Sequence, residues 1–317
     1  GALQGEKMAR LIEQVFGHEA LKESLLKMTA NKKFFNAVLF AGPEGIGKKK
    51  LALALLQEIN CEQPQACGVC TNCQKIAGSA DVFLHKIEPQ GDKIKIEQVR
   101  EAIQFLTLKT WVAHRFVIID GVEKITAQAA NALLKSVEEP PEGAHFIFIT
   151  ANLSQVLPTI RSRCQIVQFA ALTREELTRI VPGLETWQAQ WSFGRVSLAE
   201  KIRQEEWQEV RKAAINFLHS PQNSKVVEVL ARQFSDHDKI DFVIHCWMTY
   251  VRDAWMVQSG DRAALYNADI LPFVEKFAQH GGLPELYDIL MQIRSDVLGN
   301  VDKNLLLDNF ALGLGAS

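Results

Sequence analysis

No run of eighteen apolar residues occurs in the 317-residue chain, so no segment reads as an ordinary membrane-spanning helix. The N-terminus lacks the basic-then-apolar pattern of a secretory signal, and the expected compartment is the cytoplasm, with no membrane partner. Internal repeats and low-complexity tracts are absent as well, which excludes a repeat array and a disordered linker protein. Charge is scarce in total, at −2, but unevenly spread. Residues 1–204 carry 25 Lys and Arg against 21 Asp and Glu, whereas residues 205–317 carry 10 against 16. Phosphate binding needs clustered cations, so the acidic C-terminal third suits a protein partner better than a nucleic acid.

What is present is a globular composition, 47% hydrophobic and 23% charged, in a chain long enough for two or three domains. Segments 36–41, 82–87, 115–120, 145–150 and 165–169 are short, apolar and rich in β-branched or aromatic residues. Longer stretches between them carry helical spacing, as in Val99, Ile103 and Leu106 or Ala129, Leu133 and Val137. Strands alternating with helices predict an α/β fold with a parallel sheet over about the first 170 residues. After Phe169 the pattern is helical. Thr173 with Glu176 three residues on predicts a capped helix start, a short helix fits 195–203, and about five helices follow from 205. One of them is marked by the apolar stripe Ile240, Val243, Ile244, Trp247, Val251 and Trp255. The expected domains are 1–170, 171–204 and 205–317.

Three constellations carry chemistry. Gly42-Pro-Glu-Gly45-Ile-Gly47-Lys48 follows a predicted strand and precedes a predicted helix, the context of a phosphate-binding loop, with Lys48 as the phosphate lysine. The next position should offer a Ser or Thr hydroxyl to magnesium, and Lys49 stands there instead. An ammonium has no lone pair for a metal. The strand ending in Asp120 supplies the expected magnesium-side acid, but Gly121 occupies the place of the glutamate that would polarise water, and Glu123 is expected to be a solvated charge. The two departures argue against hydrolysis and make ATP binding doubtful. The loop either still holds an anion or only keeps its shape. Lastly, Cys61, Cys67, Cys70 and Cys73 place four thiols in thirteen residues. Thiolate-only ligation favours a closed structural Zn²⁺ site, and a reducing compartment disfavours disulfides. A zinc-dependent nucleic-acid binder would rest on the cysteines alone, and the lack of an aromatic-and-basic stretch beside them argues against it.

The phosphate loop, the four-Cys insertion, Asn131-Ala-Leu-Leu-Lys-Ser-Val-Glu-Glu-Pro-Pro141 and Leu157-Pro-Thr-Ile-Arg-Ser162-Arg163-Cys164 together resemble the bacterial clamp-loader subunits of the AAA+ superfamily, and the degraded nucleotide site is most similar to the delta-prime type of DNA polymerase III. The resemblance is specific over residues 10–170 and architectural beyond. It implies an AAA+ domain with a zinc-binding insertion at 61–73, a small helical lid and an all-α collar. It also implies partners: gamma/tau and delta types of subunit through the collar, and the sliding clamp and primed DNA through the complex. Arg163 matches an arginine that reaches the ATP site of a neighbouring subunit, with Arg161 a second candidate. The polar sensor at the end of strand 145–150 is Thr150 or Asn152. An arginine early in the lid touches nucleotide in active members, and Ser197 aligns there, next to Arg195. The expected function is therefore that of a non-hydrolysing clamp-loader subunit, and the alternative is an ATP-hydrolysing motor subunit of the gamma/tau kind.

Overall fold

The computed structural model describes residues 10–30, 35–78, 81–233, 237–297 and Phe310. The chain divides into two compact units, Gly1–Glu176 and Leu177–Ser317. The first holds strands β1 (Ala37–Ala41), β2 (Leu84–Ile87), β3 (Arg115–Asp120), β4 (Ala144–Thr150) and β5 (Gln165–Gln168). All pair in parallel, in the order β2-β3-β4-β1-β5. Before them runs α1 (Glu19–Ala30), and between them α2 (Lys48–Asn60), α3 (Thr71–Gly78), α4 (Ile96–Thr107), α5 (Ala127–Glu138) and α6 (Pro158–Arg161).

Position in the sheet explains the strand compositions. Every residue of β1 and β4 is buried, and both strands are continuous apolar runs with a single polar terminus, Thr150, and one histidine, His145. The edge strands need cover on fewer sides and carry exposed polar residues, as in Gln165 and Gln168 of β5. Alternate side chains face opposite layers. Val38 and Phe40 pack in one core with Leu51 and Leu55 of α2, while Leu39 packs in another with Val99 of α4 and Leu133 of α5. α7 (Arg174–Ile180) begins with the predicted reciprocal cap: Thr173 N donates to Glu176 Oε2 at 2.8 Å, and Glu176 N donates to Thr173 Oγ1 at 3.2 Å.

The second unit is helical among its described residues: α8 (Thr186–Trp191), α9 (Val196–Ile202), α10 (Glu205–His219), α11 (Ser224–Gln233), α12 (His237–Gln258), α13 (Leu271–Phe277) and α14 (Leu283–Val297). Trp187 and Trp191 of α8, Ile202 of α9, Phe217 of α10 and Trp247 of α12 share one apolar core. A separation at residue 204 is therefore a proposal about function rather than a boundary between cores. Helix α8 carried no periodic signal in the sequence, being only six residues long. The stripe along α12 is buried from Ile240 to Val251 but ends there, because Trp255 is 42% exposed.

A histidine pair with one buried member lies in the sheet unit. His145 on β4 is 6% exposed, and its Nε2 lies 3.0 Å from His114 Nδ1. Burial, reinforced by the neighbouring His114, lowers the His145 pKa from 6.5 to about 4. The folded state thus resists a proton that the unfolded chain accepts. This contribution to stability is complete above pH 6.5 and is lost as pH falls toward 4. Between pH 7.5 and 4.5 it amounts to roughly 2–3 kcal/mol. Urea denaturation of wild type and His145→Gln at both pH values should show a smaller acid loss in the variant by that amount.

Candidate functional site

The pairing of β1 with β4, and of β4 with β3, sets Ala41, Thr150 and Asp120 along the carboxyl edge of the sheet. Ligands of open parallel sheets bind at this edge. The chain leaves β1 through Gly42, whose φ is +150° and where a Cβ would stand 2.3 Å from the Phe169 carbonyl oxygen. Gly47, at φ +99°, turns the loop into α2. These two glycines are required by the close approach and by the left-handed turn. Gly45 also has a positive φ, of +72°.

Lys48 is buried, and its Nζ donates to the carbonyl oxygens of Gly42 and Pro43, each at 2.5 Å. Its pKa is lowered by burial, against the opposing pull of Asp120, Glu44 and Glu123. Lys49 points to the acid. Its Nζ lies 2.5 Å from Asp120 Oδ2 and 2.8 Å from Glu88 Oε1, just past the end of β2. Burial lowers the Lys49 pKa, but hydrogen bonds and charge from Asp120 and Glu88 outweigh it, so the net shift is upward. The ammonium stays charged.

Gly121 adopts φ +70°, and a Cβ there would meet Pro89 Cγ at 3.2 Å. A glutamate cannot take this position without strain. Glu123 differs from the expectation of a solvated charge. Its Oε2 is buried and has no hydrogen-bond partner among the described residues, and its charge reaches Lys48. The 3₁₀ turn Val122–Lys124 folds it back, which strand periodicity could not show. Glu88 was missed as well, because its partner lies 39 residues away. Thr150 ends β4 with Oγ1 accepting from Asn152 N at 3.1 Å, while Asn152 Oδ1 accepts from Ser154 N at 3.1 Å and so caps the next turn. Thr150 thus lies in the row between loop and acid, and Asn152 is engaged in local structure.

The sulfurs of Cys61, Cys67, Cys70 and Cys73 all lie within 4.8 Å of one another, with Cys61 and Cys70 at 3.9 Å. Four thiolates about 2.3 Å from a tetrahedral zinc would be about 3.8 Å apart. Backbone N–H groups already point at the sulfurs: Gln63 and Cys67 donate to Cys61 Sγ at 3.3 Å, Cys70 to Cys67 Sγ at 3.3 Å and Cys73 to Cys70 Sγ at 3.5 Å. The N–H groups of Val69 and Cys70 lower the Cys67 pKa to about 6. The loop is tied to its surroundings by Asn72 Nδ2 donating to Asn60 O at 2.9 Å and Ala66 N donating to Glu58 Oε2 at 2.7 Å. Cys246 is buried and Cys164 partly so, and burial raises both thiols.

Arg163 follows α6 and is 38% exposed in its side chain. Nε donates to Glu138 Oε1 at 2.5 Å, and one terminal nitrogen donates to Thr159 O at 3.0 Å. In the second unit, Arg195 precedes α9, its Nε is buried without a hydrogen-bond partner among the described residues, and Ser197 is exposed.

Residues 17–173 match the family described as DNA polymerase III, delta subunit, and residues 204–315 match DNA polymerase III, delta subunit, C terminal. The chain belongs to this clamp-loader family. Its delta-prime relative in Bacillus subtilis is 29% identical over 305 residues, covering 92% of this chain and 82% of that protein. The tau subunit of the same organism is 33% identical over 170 residues, 52% of this chain, and only 30% of the tau sequence is spanned. A solved Thermotoga maritima protein related to the gamma subunit aligns over 93% of this chain and 98% of that one, with 18% identity and a TM-score of 0.47. A parallel α/β domain followed by a helical part, as the resemblance led one to expect, is the architecture observed. The family match also extends beyond residue 170, where the sequence offered only architecture. Among the described residues, no helix is long and apolar enough to cross a membrane.

Two groups implied by the family meet different fits. Magnesium-bound nucleotide does not fit the residues present, since a cationic nitrogen sits against the metal-side acid. Zinc fits: the donor set is all thiol, the sulfurs are clustered, and N–H groups support them as hydrogen-bonded thiolates commonly are at metal sites. Purified protein should carry about one zinc per chain by mass-spectrometric metal analysis. Cys67→Ser should lower that content severalfold and reduce the melting temperature. A metal content unaffected by the substitution would contradict the assignment.

Proposed function

We propose that this chain is a non-hydrolysing subunit of the replicative DNA polymerase clamp loader that lends Arg163 to the ATP site of a neighbouring subunit. The observation that carries this reading is the Lys49 ammonium on Asp120, a pairing that leaves the chain's own site without a free magnesium acid. Gly121, strained against any side chain, removes the water-polarising group as well. Arg163 supports the other half. It is partly exposed, follows a short helix and is tied to a single carboxylate. A guanidinium brought to a γ-phosphate stabilises the charge that develops during phosphoryl transfer.

In this reading residues 205–317 join a helical collar with gamma/tau and delta types of subunit, and residues 171–204 serve as a lid. The zinc loop braces the sheet unit. Contact with the sliding clamp and primed DNA arises through the complex, in the cytoplasm. A second reading, a motor subunit that hydrolyses ATP itself, is favoured by the 33% identity to a tau subunit and by the intact Lys48. Turnover by the purified chain that Lys48→Ala abolishes would establish it instead.

The central test is a reconstituted complex carrying Arg163→Ala. Assembly measured by size exclusion should be unchanged, while DNA-stimulated ATPase and clamp loading should fall at least about tenfold. A fully assembled complex with both activities intact would refute the role given to Arg163.

A further inference from the structure

The departure at Lys49 has a structural consequence that a missing hydroxyl alone does not. Its side chain crosses from the start of α2 to the carboxyl edge of the sheet, where two carboxylates from neighbouring strands meet one nitrogen: Asp120 Oδ2 at 2.5 Å and Glu88 Oε1 at 2.8 Å. Both oxygens thus lie within a few ångströms of a single positive charge. Convergent carboxylate oxygens around one cation are the ligand chemistry of magnesium and calcium. A third carboxylate, Glu123, has a buried oxygen with no hydrogen-bond partner among the described residues. Around this end of the loop Lys48 and Lys49 face Asp120, Glu88 and Glu123, and removing the Lys49 ammonium leaves three carboxylates against the single charge of Lys48.

We infer that Lys49 is a tethered replacement for the divalent cation, and that the pocket beneath it remains a latent magnesium–phosphate site which this one side chain keeps closed. The parts that would hold phosphate and metal, as distinct from the missing water-polarising glutamate and lid arginine, are present: the glycine turn at Gly42 and Gly47, Lys48 beside the loop carbonyls, and Asp120 at the strand end. A hydroxyl at position 49 would restore an oxygen ligand at the start of α2, and the same substitution would free Asp120 and Glu88. An uncharged, non-ligating residue there would free the acids without adding the hydroxyl. This inference rests on the reading of the chain as a subunit that does not use its own nucleotide site, and it says why that site is unused.

The experiment uses the full chain in three forms: wild type, Lys49→Thr and Lys49→Ala. Each is titrated with a fluorescent ADP analogue in magnesium chloride and in EDTA, and its melting temperature is recorded with and without magnesium alone. The wild type should show no magnesium dependence in either measurement. Lys49→Thr should bind the nucleotide at least about tenfold more tightly with magnesium than in EDTA, and adding Asp120→Asn should abolish that gain. Lys49→Ala should be stabilised by magnesium alone, which tests the freed acids even if the threonine variant folds poorly. Magnesium-insensitive binding by Lys49→Thr, or a Lys49→Ala melting temperature unmoved by magnesium, overturns the inference. Either result leaves the proposal for Arg163 standing, since that proposal is read from the ATPase of the assembled complex.

Discussion

Burial of β1 on both faces and along both edges is the constraint from which the site follows. Its five residues are all buried, and parallel ladders to β4 on one side and β5 on the other fix their register. A strand so enclosed can release the chain only at its end. There the next residue must pass the Phe169 carbonyl so closely that only glycine fits, and Gly42 is that residue. Packing of the sheet thus chooses the first residue of the loop, and the parallel register sets Thr150 and Asp120 beside it. Burial and the backbone ladders place the polar row without any polar side chain directing it.

Electrostatics then decides what the row can do. An acid at a strand end facing a helix start ordinarily shares a divalent ion with phosphate. Here the positive charge is supplied covalently, by a side chain with three donors and no acceptor. Such a charge can neutralise Asp120 and Glu88 but cannot bridge them to an oxygen anion as a metal can. The pairing is partly solvated, with Lys49 about half exposed, so its worth lies less in fold stability than in occupying the acid. The same substitution removes the metal ligand and engages the metal's remaining acid.

Much of this was legible in the sequence. Five apolar segments and the intervening helical spacing correspond to the five strands and their flanking helices, because buried parallel strands leave a strong compositional trace. The glycine spacing and the four cysteines were equally plain, since they are local. What was not legible depends on contacts across sequence distance or on short turns. Glu88 meets Lys49 across 39 positions, and Glu123 is folded inward by a three-residue turn, where periodicity has no purchase. Helix α8 is too short to show a period, and Trp255 continues the apolar stripe of α12 in sequence while standing 42% exposed in space.

Two arginines differ in how firmly the fold holds them. Arg211 is 8% exposed, donates to both oxygens of Asp269 and to Asn267, and lies 4.0 Å from the centre of the Trp187 ring. Withdrawing it would strand the buried Asn267 carboxamide oxygen and break a bidentate pair, a loss of about 1–3 kcal/mol. Arg163 has one carboxylate partner, Glu138, itself about half exposed, together with a backbone carbonyl and a hydroxyl of its own turn. Exposed pairs of this kind contribute about 0–1 kcal/mol, because water replaces either partner readily. In the role proposed for Arg163, a phosphate anion in a neighbouring site competes with Glu138 for the guanidinium at little cost. Under the proposed function the two cations differ in number of partners rather than in solvation: Arg163, on one carboxylate, serves another chain's nucleotide, while Lys49, on two, stays with this chain's own acid.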